Sequence, residues 1–313
     1  RRIVIPLLKT GAIFDDPNND NLPIKIRGSK IPLPIEYISP VASAQIKSSI
    51  LLAGLSSTGN TIVVEPTLSR DHTENMLKYL GAKISTIQLP DSSWKITLEG
   101  LPCLKTLDIE IPSDPSSAAF PIVASIITPN SHIKVSNVCI NDLRTGLYTS
   151  LIEMGANIKF SNTRKINGET VADISASYSK LNGITIPKKR VASMIDEYPI
   201  LSIAAAFAKG TSIFRGLKEL KVKESDRLEL IRLNLVNCGC DCQVINDDLI
   251  IKPSEKYIPK NNIIRTDFDH RIAMSFAVMG TKVDNLVIED GESINTSFPN
   301  FIEKFNNAGG NIL

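Results

Sequence analysis

The residues best suited to chemistry lie in one polar segment, residues 221–228, with the sequence Lys-Val-Lys-Glu-Ser-Asp-Arg-Leu. Within it, Glu224 can donate or accept a proton. The cations on either side, Lys223 and Arg227, suit a phosphate or a carboxylate group. Ion pairs three or four residues apart would equally stabilise a solvated helix. The segment alone therefore leaves two interpretations open, a proton-transfer site for an anionic substrate and an ordinary helix cap.

The neighbouring elements must hold this segment in place. A strand-like run at residues 211–217 precedes it, and a helical run at residues 228–237 follows it. We predict that the helix begins inside the segment, with Ser225 or Asp226 at its N-cap and an acid where the helix dipole favours one.

Length and composition limit the class of protein. A chain of 313 residues is too long for one ordinary core, so two domains are expected. Hydrophobic residues make up 42% and charged residues 22%, with a net charge of +2. This balance argues against a dedicated nucleic-acid binder, and no apolar run reaches the length of a membrane span.

The cysteines and histidines predict neither a disulfide framework nor a metal site. Five cysteines in a chain of this length indicate a reducing compartment and no disulfide framework. Cys238, Cys240 and Cys242 alternate as residues on one face of a strand do, which is not the spacing of a zinc knuckle. The three histidines are not spaced to bind a metal together.

The most informative pattern is internal repetition. A helix-like run that ends in glycine and passes into a strand recurs along the chain. The anchoring residues are Gly11, Gly81, Gly155, Gly239 and Gly309, at steps of 70, 74, 84 and 70 residues. Glycine is expected where a helix ends in a left-handed turn.

A second signature interleaves with the first. An apolar helix followed by a short turn and a β-rich run occurs at residues 48–65, 118–138, 198–217 and 271–289. These helices are apolar nearly all round, so we expect them to be buried. Each unit therefore reads strand, helix, strand, helix with extra strands, and a partial unit precedes four such units. Chance similarity of α/β elements is the alternative interpretation.

Polar segments precede most of the predicted buried helices. Backbone N–H groups at such helix starts would suit a polyanionic small substrate. Seven motifs, most of them in such segments, occur in the order found in one enzyme family, at residues 41–47, 69–74, 114–117, 194–200, 223–228, 269–274 and 296–299. Together they resemble the 5-enolpyruvylshikimate-3-phosphate (EPSP) synthase family, the 3-phosphoshikimate 1-carboxyvinyltransferases. Ser43-Ala44-Gln45 and the Arg-Asp-His-Thr-Glu run at residues 70–74 resemble its second, bacterial class.

The resemblance implies an α/β fold of two domains. In this family, repeated βαβαββ units form two inside-out α/β barrel domains. Residues 1–107 would be the C-terminal part of the first domain, which is incomplete here, and residues 108–313 would be the second. Full-length members are expected to be monomers in the cytoplasm, with no nucleic-acid or membrane partner.

The family reaction transfers the enolpyruvyl group of phosphoenolpyruvate to the 5-hydroxyl of shikimate 3-phosphate and releases phosphate, without a metal or organic cofactor. By resemblance, Asp196 contacts the attacking hydroxyl and Glu224 transfers protons near the enolpyruvyl carbon. The residues expected to bind shikimate 3-phosphate are Ser43, Ala44 (through its main chain), Gln45, Arg70, Asp196 and Lys223. Those expected to bind phosphoenolpyruvate are Gln45, Arg227 and Arg271. We expect His270 to orient Asp269 or Arg271 and not to act as a base.

Some family features are not found in these 313 residues. They are an early Lys-Ser…Arg segment, a glycine-containing loop that contacts phosphoenolpyruvate, and an Arg-Pro arginine. Because these supply a catalytic lysine and further cations, we expect this chain alone to be inactive. Three alternatives remain: an enolpyruvyl transferase that acts on a UDP-sugar, a non-catalytic anion-binding repeat module, and an N-terminal portion supplied by a separate polypeptide.

Overall fold

The computed structural model describes residues 1–18 and 21–313. The chain divides into two compact units. The first unit comprises Arg1–Ile111 together with Lys165–Glu169, and the second comprises Pro112–Arg164 and Thr170–Leu313. The division into domains after residue 107 stays a prediction.

The first unit opens with a partial repeat and continues with a complete one. The partial repeat consists of helix α1 (Val4–Lys9) and the antiparallel strands β1 (Ile13–Phe14) and β2 (Ile26–Arg27). The complete repeat consists of β3 (Glu36–Ile38), α2 (Ala44–Gly54), β4 (Asn60–Glu65), α3 (His72–Tyr79), β5 (Ile84–Gln88) and β6 (Trp94–Glu99). Its sheet has the order β3-β4-β6-β5, in which β3 and β4 are parallel and the other pairs antiparallel. This is the βαβαββ arrangement that the family resemblance implies, and it agrees with the strand-helix-strand-helix pattern with extra strands that the repeat predicts.

The second unit begins with a repeat whose first strand is reduced to a single parallel bridge, Ser113 to Val138. Its elements are α4 (Pro115–Ile127), β7 (His132–Cys139), α5 (Gly146–Glu153), β8 (Asn157–Ile166) and β9 (Glu169–Ser177). The sheet order is β7-β9-β8, which matches the last three positions of the sheet in the first unit.

The next repeat contains the segment at residues 221–228. It consists of β10 (Thr185–Ile186), α6 (Tyr198–Ala206), β11 (Ser212–Phe214), α7 (Arg227–Asn237), β12 (Asp241–Ile245) and β13 (Asp248–Lys252). The sheet order β10-β11-β13-β12 and the strand directions reproduce those of the first unit. The same chain path therefore recurs in both units.

The last repeat is shorter. It contains β14 (Ile263–Ile264), α8 (His270–Met279), β15 (Val287–Ile288) and α9 (Phe301–Asn307), with β14 and β15 parallel. The second unit also has 3-10 helices at Asp142–Arg144, Lys188–Ser193, Ile195–Glu197, Lys218–Val222 and Gly291–Thr296.

The glycines that mark the repeat have the conformation expected of them. Gly11, Gly81, Gly155, Gly239 and Gly309 have φ values of 90°, 102°, 96°, 90° and 101°. Each stands two residues after the last residue of its helix, and the N–H group of the residue after it bonds back to the last helical turn, as in Ala82 N to Leu77 O. These are left-handed helix ends, which an L side chain would strain. The prediction from the repeat is confirmed.

Apolar helices form the core of the second unit. All nine residues of α6 are buried, and α4, α6 and α8 pack against one another. In α2, by contrast, the expected burial is incomplete, because Leu52 is 50% exposed. Cys238 is the C-cap of α7 and Cys242 lies in β12, which agrees with the predicted turn followed by a strand. All three cysteines are buried, and burial raises the pKa of Cys238 to about 11 and of Cys240 to about 12. In the described residues, every helix is too short or too polar to cross a membrane.

Candidate active-site residues

Arg227 is the centre of a carboxylate cluster in the second unit. It is the first residue of α7, and its guanidinium is fully buried. Nε donates to Asp269 Oδ2 (2.8 Å), Nη1 donates to Asp196 Oδ1 (3.1 Å), and Nη2 lies 2.7 Å from Glu224 Oε2. Burial disfavours the charged guanidinium, but Asp269, Glu224 and Asp196 outweigh it and raise the pKa of Arg227. The Arg227 guanidinium therefore contacts three carboxylates and holds them close together.

Asp269 holds this cluster together from the start of another helix. It is the N-cap of α8, and its side chain accepts from Arg271 N (2.9 Å). It also accepts from Ser225 Oγ (2.8 Å), in addition to Arg227. Burial favours the neutral acid, but the Arg227 charge and these hydrogen bonds lower the pKa of Asp269. Asp269 is thus ionised and ties the segment at residues 221–228 to α8.

Asp196 lies in the 3-10 helix Ile195–Glu197, directly before α6. Its Oδ1 atom is 3.2 Å from Lys223 Nζ, as well as being hydrogen-bonded to Arg227. Arg271 Nη1 donates to the Asp196 carbonyl oxygen (3.4 Å). The structure therefore brings together Asp196, Lys223, Arg227 and Arg271, which sequence reasoning had assigned from three separate segments.

The structure confirms the helix-cap interpretation of residues 221–228, whereas the proton-transfer site stays a prediction. Asp226 is the N-cap of α7 and accepts from Glu229 N (3.0 Å), which decides between the two predicted caps. Glu224 is 56% exposed and reaches Arg227. Lys221 instead pairs with Asp247 (2.8 Å) on the surface. The segment is a helix cap on one side and part of a charged cluster on the other.

A second buried network lies beside Asp196. Glu197 Oε1 accepts from Ser116 Oγ, and Arg144 Nη2 donates to the same hydroxyl (2.6 Å) and to Asp114 Oδ1 (3.1 Å). Arg271 Nη1 lies 3.8 Å from Glu197 Oε1. Among the described residues, Glu197 Oε2 has no hydrogen-bond partner. This network fixes the turn that carries Asp196.

His270 does not have the expected orienting hydrogen bond. It is the first residue of α8, and within residues 1–18 and 21–313 its ring forms no hydrogen bond to Asp269 or Arg271. Burial, followed by the charge of Arg271, lowers the pKa of His270. The orienting bonds to Asp269 come from Ser225 and Arg227. The expected hydrogen bond from His270 is therefore absent among the described residues, and the expectation that His270 does not act as a base stays a prediction.

In the first unit, Ser43, Ala44 and Gln45 form the start of α2. Ser43 is the N-cap, and its Oγ accepts from Ile46 N (3.5 Å). Ala44 and Gln45 occupy the first turn, where N–H groups have no partner within the helix and the dipole favours an anion. Arg70 is partly buried and directly precedes Asp71, the N-cap of α3.

A fully buried ion cluster lies behind these residues. Lys47 Nζ is 3.0 Å from Glu65 Oε1, 2.7 Å from Glu74 Oε1 and 3.1 Å from the Ser69 carbonyl oxygen. Ser69 donates from N (2.8 Å) and Oγ (2.7 Å) to the two oxygens of Glu65. We call these four residues the Lys47 cluster. Burial raises the pKa of Glu74, and Lys47 offsets this only in part.

Sequence reasoning missed the Lys47 cluster and Glu197. A signal for Lys47 was present, because residues 47, 50, 51 and 54 lie on one face of a helix whose other members are apolar or glycine. A lysine on such a face requires buried carboxylates or carbonyl groups nearby. Which acids these are could not be read from the sequence, since Glu65 and Glu74 come from other elements.

The family model for EPSP synthase (3-phosphoshikimate 1-carboxyvinyltransferase) matches residues 1–305. The 3-phosphoshikimate 1-carboxyvinyltransferase of Paramagnetospirillum magneticum is 46% identical over 313 residues, covering 100% of this chain and 70% of the relative. That of Gluconobacter oxydans is 46% identical over 314 residues, covering 100% and 71%. A solved structure of EPSP synthase from Acinetobacter baumannii superposes with a TM-score of 0.86 at 40% identity, covering 98% of this chain and 70% of that one.

The chain belongs to the EPSP synthase family. Its α/β fold is that of the solved synthase structures. It is accordingly a transferase of the shikimate pathway of aromatic amino acid biosynthesis, with the reaction that the family description names, 1-carboxyvinyl transfer to 3-phosphoshikimate. The comparisons favour this function over a UDP-sugar transferase and over a non-catalytic module.

Proposed function

We propose that Asp196 and Glu224 handle the protons in transfer of the enolpyruvyl group from phosphoenolpyruvate to shikimate 3-phosphate. The observation that carries this proposal is their shared position around the buried Arg227. Asp196 accepts the proton of the 5-hydroxyl as its oxygen bonds to C2 of phosphoenolpyruvate. Glu224 delivers a proton to the methylene carbon C3. The methyl group then returns a proton to the Glu224 carboxylate as the C2–phosphate oxygen bond breaks, which forms the C2–C3 double bond of the product and releases inorganic phosphate.

Arg227 and Arg271 would bind phosphoenolpyruvate, since planar guanidinium groups fit carboxylate and phosphate oxygens in pairs. Every guanidinium nitrogen of Arg227 contacts a carboxylate in the structure. An anionic substrate on Arg227 must therefore replace an acid. Glu224 is the member of the cluster most exposed to solvent, and its displacement would free Nη2 and place the acid beside the substrate.

Ser43, the Ala44 main chain, Gln45 and Arg70 are proposed to bind shikimate 3-phosphate, together with Asp196 and Lys223. The support in the first unit is the start of α2, which offers unpaired N–H groups and a favourable dipole for the phosphate. Gln45 would also contact phosphoenolpyruvate. Lys223 supports the assignment in the second unit, because its ammonium group shares Asp196 Oδ1 with Arg227 and can donate to an anionic ligand.

Calorimetry with shikimate 3-phosphate tests this function. Two proteins are compared, this chain and an extended chain that also contains whatever residues its coding DNA encodes upstream of Arg1. Binding at micromolar concentration by either protein, with enolpyruvyl transfer by the extended chain, is the expected result. Failure of both proteins to bind shikimate 3-phosphate would overturn the proposal.

Three further properties are proposed with this function. The two units would be separate domains with the boundary after residue 107, the full-length protein would be a monomer, and it would act in the cytoplasm. Limited proteolysis with mass spectrometry should give a first cleavage between Gly100 and Ser113, a stretch with little regular secondary structure. Sedimentation equilibrium of the extended chain should give one protomer mass, and a dimer mass would overturn the monomer.

A further inference from the structure

The Lys47 cluster joins the two segments of the first unit that are assigned to shikimate 3-phosphate. Lys47 N donates to Ser43 O (3.1 Å) within α2, and Lys47 Nζ donates to Ser69 O (3.1 Å), directly before Arg70. A short path of hydrogen bonds therefore runs from Ser43 through Lys47 to the residue next to Arg70. This path links the start of α2 to the loop that carries Arg70.

Each remaining contact of the cluster comes from a different element. Glu65 is the last residue of β4, and it holds both the N–H and the hydroxyl group of Ser69. Glu74 lies in the first turn of α3, and Ser48 of α2 is hydrogen-bonded to Thr73 of α3 (2.7 Å). The loop that carries Arg70 is thus fixed at both of its ends to one side of α2.

Stability alone does not account for three buried charges at this place. Removing ions from water is costly, and replacing a buried ion cluster with apolar side chains is often neutral or stabilising. The cluster has one ammonium group for two carboxylates, and Glu74 Oε2 has no partner among the described residues. Burial raises the pKa of Glu74, which reduces this excess of negative charge. The ions can instead fix the relative positions of the segments that they join, because hydrogen bonds to charged groups constrain distance and angle.

We propose that Lys47 is a positioning residue for substrate binding, which sets the geometry between Arg70 and the Ser43–Gln45 start of α2 without touching the ligand. The proposal rests on the proposed assignment of shikimate 3-phosphate to these residues. It adds Glu65, Ser69 and Glu74 as the partners through which Lys47 acts.

The decisive variant neutralises the whole cluster, so that no buried charge is left without a partner. In Lys47→Met/Glu65→Gln/Glu74→Leu, the volume is retained but all three contacts of Lys47 Nζ are lost, those to Glu65 and Glu74 and the one to the Ser69 carbonyl oxygen in the loop. The Kd for shikimate 3-phosphate, measured by calorimetry, should rise at least about tenfold, the effect of one charge-assisted hydrogen bond. Glu74→Gln keeps an acceptor for Lys47 and should change the Kd by less than about threefold.

Two controls separate positioning from general destabilisation. Leu98→Ala makes a cavity in the core of the same unit and should lower Tm while leaving the Kd unchanged. Lys83→Met removes an exposed ion pair with Glu99 and should change neither quantity. In the extended chain, the triple variant should raise KM for shikimate 3-phosphate and leave kcat at saturation within about threefold, because uniform binding affects KM alone.

The outcomes distinguish this inference from the proposed function. Binding by the unsubstituted protein with an unchanged Kd in the triple variant would overturn the positioning role and leave the function intact. Lack of binding by the unsubstituted protein, in both chain lengths, would overturn the function. If circular dichroism shows that the triple variant is unfolded, Glu65→Gln takes its place. That single change weakens the anchor of Ser69 and should raise the Kd by about threefold or more, and an unchanged Kd would again overturn the role.

Discussion

Arg227 and Asp269 form a fully buried ion pair, with Arg227 Nε 2.8 Å from Asp269 Oδ2 and both side chains 0% exposed. The pair joins the first residue of α7 to the N-cap of α8. Without Asp269, the buried Arg227 guanidinium would keep only Asp196 and Glu224 as carboxylate partners. The pair therefore holds the remaining groups of the cluster in place.

Asp269→Asn should destabilise the protein by about 3 kcal/mol or more, as expected when one partner of a buried ion pair is removed. The amide keeps the size of the side chain but not its charge. Urea unfolding followed by circular dichroism measures the change. Asp267→Asn is the matched control, because that residue pairs with Arg265 on the surface two positions away. Equal stability of the two variants would contradict the structural role of Asp269.

Asp196→Asn and Glu224→Gln should each lower kcat of the extended chain by about 10²-fold to 10⁴-fold, the range for loss of a general acid or base. KM should change much less, because both amides keep the shape of the acids. Glu229→Gln, on the same helix as Arg227, removes only the pair with Arg232 and should leave kcat unchanged. A kcat close to that of the unsubstituted enzyme for both site variants would refute the proton-transfer roles.

Lys223→Ala and Lys221→Ala should differ although the two lysines are two residues apart. Lys223 lies 3.2 Å from Asp196, whereas Lys221 pairs with Asp247. We expect loss of Lys223 to weaken binding of shikimate 3-phosphate by about tenfold or more, as for a lost charged contact. Loss of Lys221 should have little effect. Calorimetry on both variants gives the comparison, and equal losses would indicate a general charge effect.

Glu74→Gln should change how stability depends on pH. The pKa of Glu74 is raised in the folded protein, so the folded state binds more protons than the unfolded state at pH values above the ordinary value of 4.5. Its contribution to stability is therefore present at low pH and is lost as pH rises through the folded pKa. The stability of Glu74→Gln relative to the unsubstituted protein should increase as pH rises above 4.5. Urea unfolding at a series of pH values would show this, and a pH-independent difference would contradict it.

Gly239→Ala should destabilise the protein by about 1–2 kcal/mol, the cost of a left-handed conformation for an L residue. Gly239 has φ of 90°, and an added Cβ would lie 3.3 Å from the Ile258 carbonyl oxygen. Gly291→Ala is the control, since its added Cβ would meet nothing within 4 Å and its φ is outside the left-handed range. Thermal unfolding of the two variants measures the difference. If Gly239→Ala were as stable as Gly291→Ala, the claim that this helix end requires glycine would be contradicted.

The repeat, the helix ends that mark it and the family membership could all be recognised from the sequence alone. Helix ends at Gly81, Gly155 and Gly239 are local, because a left-handed residue is favourable only without a Cβ. The α7 start at Asp226 and Arg227 likewise follows from capping chemistry within four residues. Such features depend on neighbours in the chain, so they could be predicted before any fold was known.

The partners of the buried charges were decided only by the tertiary structure. Arg227 meets Asp196 and Asp269 across 31 and 42 residues, and Lys47 meets Glu65 and Glu74 from other elements. His270, which the sequence places beside Asp269, has no such hydrogen bond in the described residues, and the side chains that donate to that carboxylate are those of Ser225 and Arg227. Helix packing brings together carboxylates and cations that are far apart in the sequence, at 2.8 Å for Arg227 and Asp269 and 2.7 Å for Lys47 and Glu74. Because these charges are buried, each of them needs a partner of opposite charge.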